Sequence, residues 1–425
     1  MTMNAKRRRA HDKLAALPGV RAVRRPVRPR SGQPVPGGDD EFDLFYVRTG
    51  RKSAHPLVLI PGGPGVASIA LYRGFRRRAA AEGLDVIMVE HRGVGMSRHD
   101  DRGADLPPDA LTIDQVVDDV AAVLEDAHVD KAVIYGTSYG TYIAAGVGVR
   151  HPDRVHAMIL DSPLLSADDI DAARAATRRL LWDGDTAETA DLARKVRQLV
   201  DQDKFSPAAA QLAVAVYGFA GPAVLRRQLD LLLAGRRWLW SGQDWAGRFM
   251  FERKMPYRHE PDLVGRIGYR ELNYGAVPDG KPLDPAVAYR EFAPDTTEFE
   301  AEPFDLIAEM PKFTWPTVAV SGGRDLITPR AVAHQIVSLI PGAVLVDLAT
   351  AGHSAIDFRE RAALAIIKAT YEGATSGLPA RANKLDATPR GLPVRLLIWA
   401  MAATAAVEQA LPAAVPRTLA RVTAS

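Results

Sequence analysis

Ala132-Val133-Ile134-Tyr135-Gly136-Thr137-Ser138-Tyr139-Gly140 is the stretch that decides how this chain folds. A short, β-branched apolar run meets Gly-x-Ser-x-Gly, and a helical pattern follows from Tyr142 to Val149. That order describes a strand, a tight turn and a helix. The turn closes only if the residues two before and two after the serine are small. It lifts the hydroxyl above the sheet edge and aims the next backbone N–H at whatever the hydroxyl attacks. Ser138 is therefore the candidate nucleophile, and its setting calls for an α/β fold built on a mostly parallel sheet.

Working outward, the same rhythm repeats. Phe42 to Val47 reads as a strand, Leu57-Val58-Leu59-Ile60 as a fully buried one, and Val86-Ile87-Met88-Val89 as a third. The last leads into the turn Arg92-Gly93-Val94-Gly95. Thr112 to Val129 is helical: Thr112 with Gln115 has the spacing of a capping box, and Ile113, Val116, Val117, Val120, Val123 and Leu124 share a face. Val155 to Leu160 is the strand after the elbow. Continuous apolar strands alternating with amphipathic helices imply a parallel sheet covered on both faces. From about Ser166 to Met310 the strand rhythm stops, and it resumes at Thr317-Val318-Ala319-Val320 and Val344-Leu345-Val346. An insertion at that point is a natural helical cap over the site. The expected division is a basic, disordered leader over 1–40, a core over 41–165 and 311–375, a cap over 166–310, and a basic and apolar tail over 376–425.

A serine hydroxyl needs a histidine to take its proton, a carboxylate to fix that imidazole, and N–H donors for the oxyanion. In this kind of fold the partners follow in the order serine, acid, histidine. Asp325 stands in Ser321-Gly-Gly-Arg-Asp325 after one strand, and His353 in Ala351-Gly-His-Ser354 after the next. Asp325 also has a blander reading, as the cap of a helix starting at Thr328-Pro329. Asp161, at the end of its own strand, is the rival acid. His334 falls inside a helical pattern and reads as structural. The oxyanion donors are expected to be the N–H groups of Tyr139 and of Gly63 in Pro61-Gly-Gly-Pro-Gly65, where small residues let the backbone approach closely. No Gly-Lys-Ser/Thr follows that loop, so it is not a phosphate cradle.

Pro61-Gly-Gly-Pro-Gly65, Glu90-His-Arg-Gly-Val-Gly-Met-Ser97 and Gly136-Thr-Ser-Tyr-Gly140 together resemble the proline iminopeptidase and tripeptidyl aminopeptidase branch of the α/β-hydrolases, over about residues 40–165 and 311–370. The resemblance implies an α/β-hydrolase fold and a serine exopeptidase acting on free N-termini, without a cofactor, through Ser138, Asp325 and His353. The chain departs from that branch in three places. Pro61 stands where its members usually have His, His91 sits inside the acid-x-Arg-Gly pattern, and Tyr139 follows the nucleophile where many iminopeptidases have Trp. The last of these favours the tripeptidyl or general peptidase side over strict proline specificity.

An aminopeptidase must bind a protonated amine, and Glu271 in Tyr269-Arg-Glu-Leu-Asn-Tyr274 is the first candidate for it, ahead of Glu252 and Glu260. Trp238, Trp240, Trp245, Phe249 and Phe251 read as cap core or as an apolar substrate wall. The same triad serves esters, so a carboxylesterase or lipid-ester hydrolase is the alternative. The small-molecule partner is a peptide or an ester, and neither a cofactor nor a metal is called for.

The chain has no cysteine, which excludes disulfides, thiolate metal sites and a cysteine nucleophile. Its net charge of +3 conceals an asymmetry. Residues 1–30 carry a local +9 and residues 376–425 a local +4, so the body between them is near −10. The body is thus not expected to bind nucleic acid. The leader has the basic start of an export signal without an apolar core, and reads as solvated, with an anionic membrane or nucleic-acid contact as the alternative. The run Leu396-Leu-Ile-Trp-Ala-Met401 in the tail is too short to span a bilayer. It is expected to dock on the body or on a second copy, with peripheral membrane contact as the alternative. Location follows as cytoplasmic or membrane-peripheral.

Overall fold

The computed structural model describes residues 3–28, 40–252, 254–293 and 297–411. Among the described residues eight strands form one sheet: β1 (Val20–Pro26), β2 (Glu41–Thr49), β3 (Leu57–Ile60), β4 (Val86–Val89), β5 (Ala132–Thr137), β6 (Val155–Asp161), β7 (Thr317–Gly322) and β8 (Val344–Leu348). Their order is β1-β2-β4-β3-β5-β6-β7-β8. β1 pairs antiparallel with β2 and β2 with β4, and every pairing from β4 to β8 is parallel. β3, β4 and β5 are buried at every residue, which is why they read as unbroken apolar runs.

Each face of the sheet carries its own core. On one side the helices α1 (Ile113–Asp126) and α2 (Tyr139–Arg150) lie over Val58, Ile134 and Leu160. Thr112 caps α1, its hydroxyl accepting from the Gln115 N–H. On the other side, Leu57, Tyr135 and Val318 pack with Phe75, Leu364 and Ile367.

The expectation of a disordered leader over residues 1–40 does not hold for its described part. Ala5–Ala15 is a helix, and Val20–Pro26 is the edge strand β1. The reason is the charge asymmetry itself, because the acidic body pairs with the basic leader. Arg24 reaches Asp101 and Asp43, Arg25 reaches Asp119, Arg28 reaches Asp109, and Arg7 reaches Glu260. Asp119 and Glu260 are fully buried, and Arg25 and Arg7 add to the partners they have in the body, Arg92 for the first and Gly95 N and Arg98 for the second.

Between β6 and β7 the described chain is helical, with a third core of its own around Leu181, Leu192, Val196, Leu225 and Leu229. Trp240 belongs to this core, whereas Trp245 is exposed. The side chains of Phe249, Phe251 and Glu252 lie outside the described residues. Two of the points at which this layer is fastened to the sheet domain lie beside the strand ends. The helix Pro207–Ala220 packs on the loop after β8, where a side-chain carbon on Gly352 would lie 2.5 Å from the Gly218 carbonyl oxygen. The segment Met255–Glu260 returns to the glycine loop after β3, with Glu260 N–H donating to Gly65 O and Ala67 N–H to Arg258 O.

The tail helix Leu392–Ala410 lies against this layer. Met401 joins its core, and the buried carboxylate of Glu408 accepts from the N–H groups of Trp238 and Leu239 at the start of the helix Trp238–Glu252. Leu392, Leu396, Leu397 and Trp399 remain exposed. No described helix is long and apolar enough to cross a membrane.

Candidate active site

Sterics build the elbow first. A Cβ on Gly136 would lie 2.2 Å from Gly140 O, and one on Gly140 would lie 2.2 Å from Ile60 O. Only glycine lets β5 turn into α2 this sharply beside β3. Ser138, at the apex, sits at φ 52° and ψ −126°, a conformation that costs a non-glycine residue about 1–3 kcal/mol and persists only where its surroundings enforce it. Its N–H donates to Asp161 O (2.9 Å), and its carbonyl accepts from Thr141 N (2.8 Å) and Thr141 Oγ1 (2.6 Å).

His353 and Asp325 meet at the ends of β8 and β7. His353 Nδ1 is 2.9 Å from Asp325 Oδ2. The Asp325 carboxylate is fully buried and also accepts from Ile327 N, Thr328 N and Thr328 Oγ1. Asp325 thus makes both sets of contacts: one oxygen caps the turn at Thr328 while the other faces the imidazole. Burial pushes the Asp325 pKa up, but the His353 charge and bond and the Thr328 donors overcome it, leaving the carboxyl below its ordinary range. Burial pulls His353 down, but Asp325 outweighs it, with smaller contributions from Asp161 and Asp357, leaving the imidazole above 6.5. The His353 side chain is 22% exposed.

Asp161, the rival acid, is not the hydrogen-bond partner of the imidazole. Its oxygens accept from Ala355 N, Ile356 N and Tyr135 OH. His334 lies in the helix Arg330–Leu339 after β7.

The glycine loop lies against the nucleophile: a Cβ on Gly62 would be 3.1 Å from Ser138 Cβ. Gly63, at φ 132°, has the backbone freedom that such a turn requires. Glu90, fully buried, ties this loop to the one after β4 by accepting from Ser68 N (2.6 Å), Ile69 N (3.0 Å) and Met96 N (3.3 Å). Burial pushes its carboxyl up to about 7 against those donors. A cavity of about 20 Å³ lies beneath, bordered by Pro61, Gly62, Gly65, His91 and Tyr139. It has room for about one water and none for a substrate group.

Glu271 is placed differently from its sequence reading. One oxygen accepts from Ile113 N (2.8 Å) at the start of α1, and the other is paired with Arg270. Glu260 is taken up by Arg7 and by Gly95 N. Two acids that the sequence reading missed make no ion pair among the described residues. Asp169 is pushed up to about 7 by burial, with Glu302 and Asp168 adding to it. Glu302, whose carboxyl burial also raises, lies 3.5 Å from Tyr142 OH on α2. No motif marks them, because they come together only where the two ends of the insertion cross.

Residues 55–360 match the family model described as the alpha/beta hydrolase fold. The chain is similar to a proline iminopeptidase of Heyndrickxia coagulans, 30% identical over 135 residues, covering 31% of this chain and 42% of that protein. It is similar to a proline iminopeptidase of Arabidopsis thaliana, 26% identical over 124 residues, covering 28% of this chain and 30% of that one. The match therefore spans less than half the length of either relative. A solved structure, Rv0554 from Mycobacterium tuberculosis, superposes with a TM-score of 0.49 at 18% identity, over 83% of this chain and 99% of that one.

Proposed function

The chain belongs to the alpha/beta hydrolase fold family, and from that premise we propose that it is a serine hydrolase of the peptidase type, acting on substrates with a free N-terminus through an acyl-Ser138 intermediate. The observation that carries this reading is the 2.9 Å contact between His353 Nδ1 and the buried Asp325 carboxylate, on the loops that flank a serine held at a positive φ. The carboxylate accepts a hydrogen bond from Nδ1–H, holding the proton on Nδ1, and so leaves Nε2 as the base. Ser138 Oγ attacks the substrate carbonyl as Nε2 takes its proton. The negative charge on the carbonyl oxygen is received by the N–H groups of Tyr139 and Gly63. The imidazolium then gives its proton to the leaving amine, and water releases the acyl group by the same steps in reverse.

The substrate ammonium is assigned to Asp169 and Glu302, which have no cationic partner among the described residues, rather than to Glu271, which is paired with Arg270. A carboxylesterase acting on apolar esters is the second reading, favoured by the exposed apolar face of the tail helix at Leu396, Leu397 and Trp399. Wild type and Ser138→Ala should be assayed on aminoacyl and tripeptidyl amides, with free and blocked N-termini, and on short and long acyl esters. Amide cleavage that requires a free N-terminus and vanishes in Ser138→Ala supports the proposal. Ester cleavage alone moves the assignment to the second reading.

A further inference from the structure

Three serines near the site have positive φ: Ser138 at 52°, Ser162 at 54° and Ser354 at 64°. They lie at the nucleophile, at the end of β6 and immediately after His353. One residue bonds into all three neighbourhoods. The carbonyl of Asp161 accepts the Ser138 N–H at 2.9 Å. Its carboxylate accepts the N–H groups of Ala355 and Ile356, both at 2.9 Å, just past His353. Its neighbour Ser162 accepts the Ser354 N–H at 2.9 Å. Tyr135 OH, on the nucleophile's own strand, donates to the same carboxylate at 2.8 Å.

We propose that Asp161 is a positioning residue that sets the spacing between Ser138 and His353, with its main chain on the first and its side chain on the loop of the second. The inference rests on the serine-hydrolase reading above. A shift of about 1 Å between nucleophile and base is enough to cost on the order of 10²-fold in rate, and strained serines stay in place only while surrounding bonds over-determine them. A second set of bonds runs parallel to the first: Thr137 Oγ1 donates to Ser354 Oγ at 3.1 Å, Ser354 Oγ donates to Asp357, and Tyr72 OH donates to Asp357 at 2.8 Å. The acids facing His353 are Asp325 from the loop after β7, Asp161 from β6 and Asp357 from the short helix after His353. Removing the Asp161 charge therefore lowers the pH at which His353 becomes a base, a change that loss of packing alone would not produce.

The test is the rate of covalent labelling by a fluorophosphonate, which phosphonylates an activated serine with loss of fluoride, followed across pH. Wild type is compared with Asp161→Asn and with Ser162→Ala, which removes one hydroxyl. Asp161→Asn is expected to label roughly 10- to 100-fold more slowly, with its acid-limb midpoint at lower pH. Ser162→Ala, which keeps the carboxylate, is expected to label several-fold more slowly with the midpoint unmoved. A folded Asp161→Asn that labels at the wild-type rate with the wild-type midpoint overturns the inference. If Asp161→Asn does not fold, a Ser162→Ala that labels at the wild-type rate overturns it instead. Wild type that does not label at all overturns the hydrolase reading, and the inference with it.

Discussion

The phenolic oxygen of Tyr139 lies 3.0 Å from Nε2 of His91. His91 Nδ1 is 2.5 Å from the carbonyl oxygen of Arg92, which can only accept, so Nδ1 carries the proton and Nε2 takes the O–H of Tyr139. Burial pulls His91 down to about 4, so the ring is neutral at ordinary pH and remains an acceptor. These are two of the positions at which the chain departs from the iminopeptidase pattern, and each is the other's partner. The side chain of a candidate oxyanion donor is thereby fixed from below. Tyr139→Phe should cost about 1–3 kcal/mol by stranding a buried acceptor. His91→Phe combined with it should cost less than the sum of the two single changes. Urea midpoints of the four proteins measure this, and strict additivity would mean the bond contributes nothing.

Under the proposed mechanism, the His353–Asp325 pair should set the pH dependence of activity. His353 must be neutral to act as base, so activity should rise with pH through its folded pKa, which lies above 6.5. Asp325→Asn removes the main influence holding that value up. The acid limb of kcat/KM should move to lower pH while kcat falls by about 10⁴-fold. An acid limb that stays in place would point to another group.

Arg7 reaches back from the first helix to Glu260, which is fully buried, and lies 4.7 Å from the ring centre of Tyr257. Arg7→Ala removes the nearest cation from that buried carboxylate, leaving it the Gly95 N–H and Arg98 at 3.7 Å, and should destabilise the fold by about 1.5–3 kcal/mol. Adding Glu260→Gln should recover part of the loss. Chemical denaturation of the single and double variants decides it.

Two glycines should respond oppositely to alanine. At Gly140 the new methyl would meet Ile60 O at 2.2 Å, whereas at Gly247, in the helix Trp238–Glu252, it meets nothing within 4 Å. Gly140→Ala should abolish soluble folded protein. Gly247→Ala should raise stability by up to about 1 kcal/mol through helix propensity alone. Thermal melts compare them directly.

The parts of the fold that were legible in the sequence are those decided by local chemistry. Leu57–Ile60 and Val86–Val89 are recognisable to the residue because strands buried on both faces tolerate no polar interruption. The elbow shows in Gly136 and Gly140 because nothing larger fits. What was illegible depends on partners far away in the chain. The arginines of β1 read as solvated until Asp101 and Asp119 stand opposite them. Glu271 reads as available until the N–H of Ile113, at the start of a helix far earlier in the chain, is placed against it. Asp169 and Glu302 carry no motif at all. A charge run or a lone acid reports its type, and only tertiary contact reports whether it is already satisfied.

The most direct measurement is mass spectrometry of protein quenched in acid during turnover of p-nitrophenyl acetate, with the adduct located by peptide mapping. An acetyl group on the peptide that carries Ser138, absent from Ser138→Ala together with turnover, is the expected result. Turnover that survives Ser138→Ala, or an acetyl group on another residue, would contradict the account.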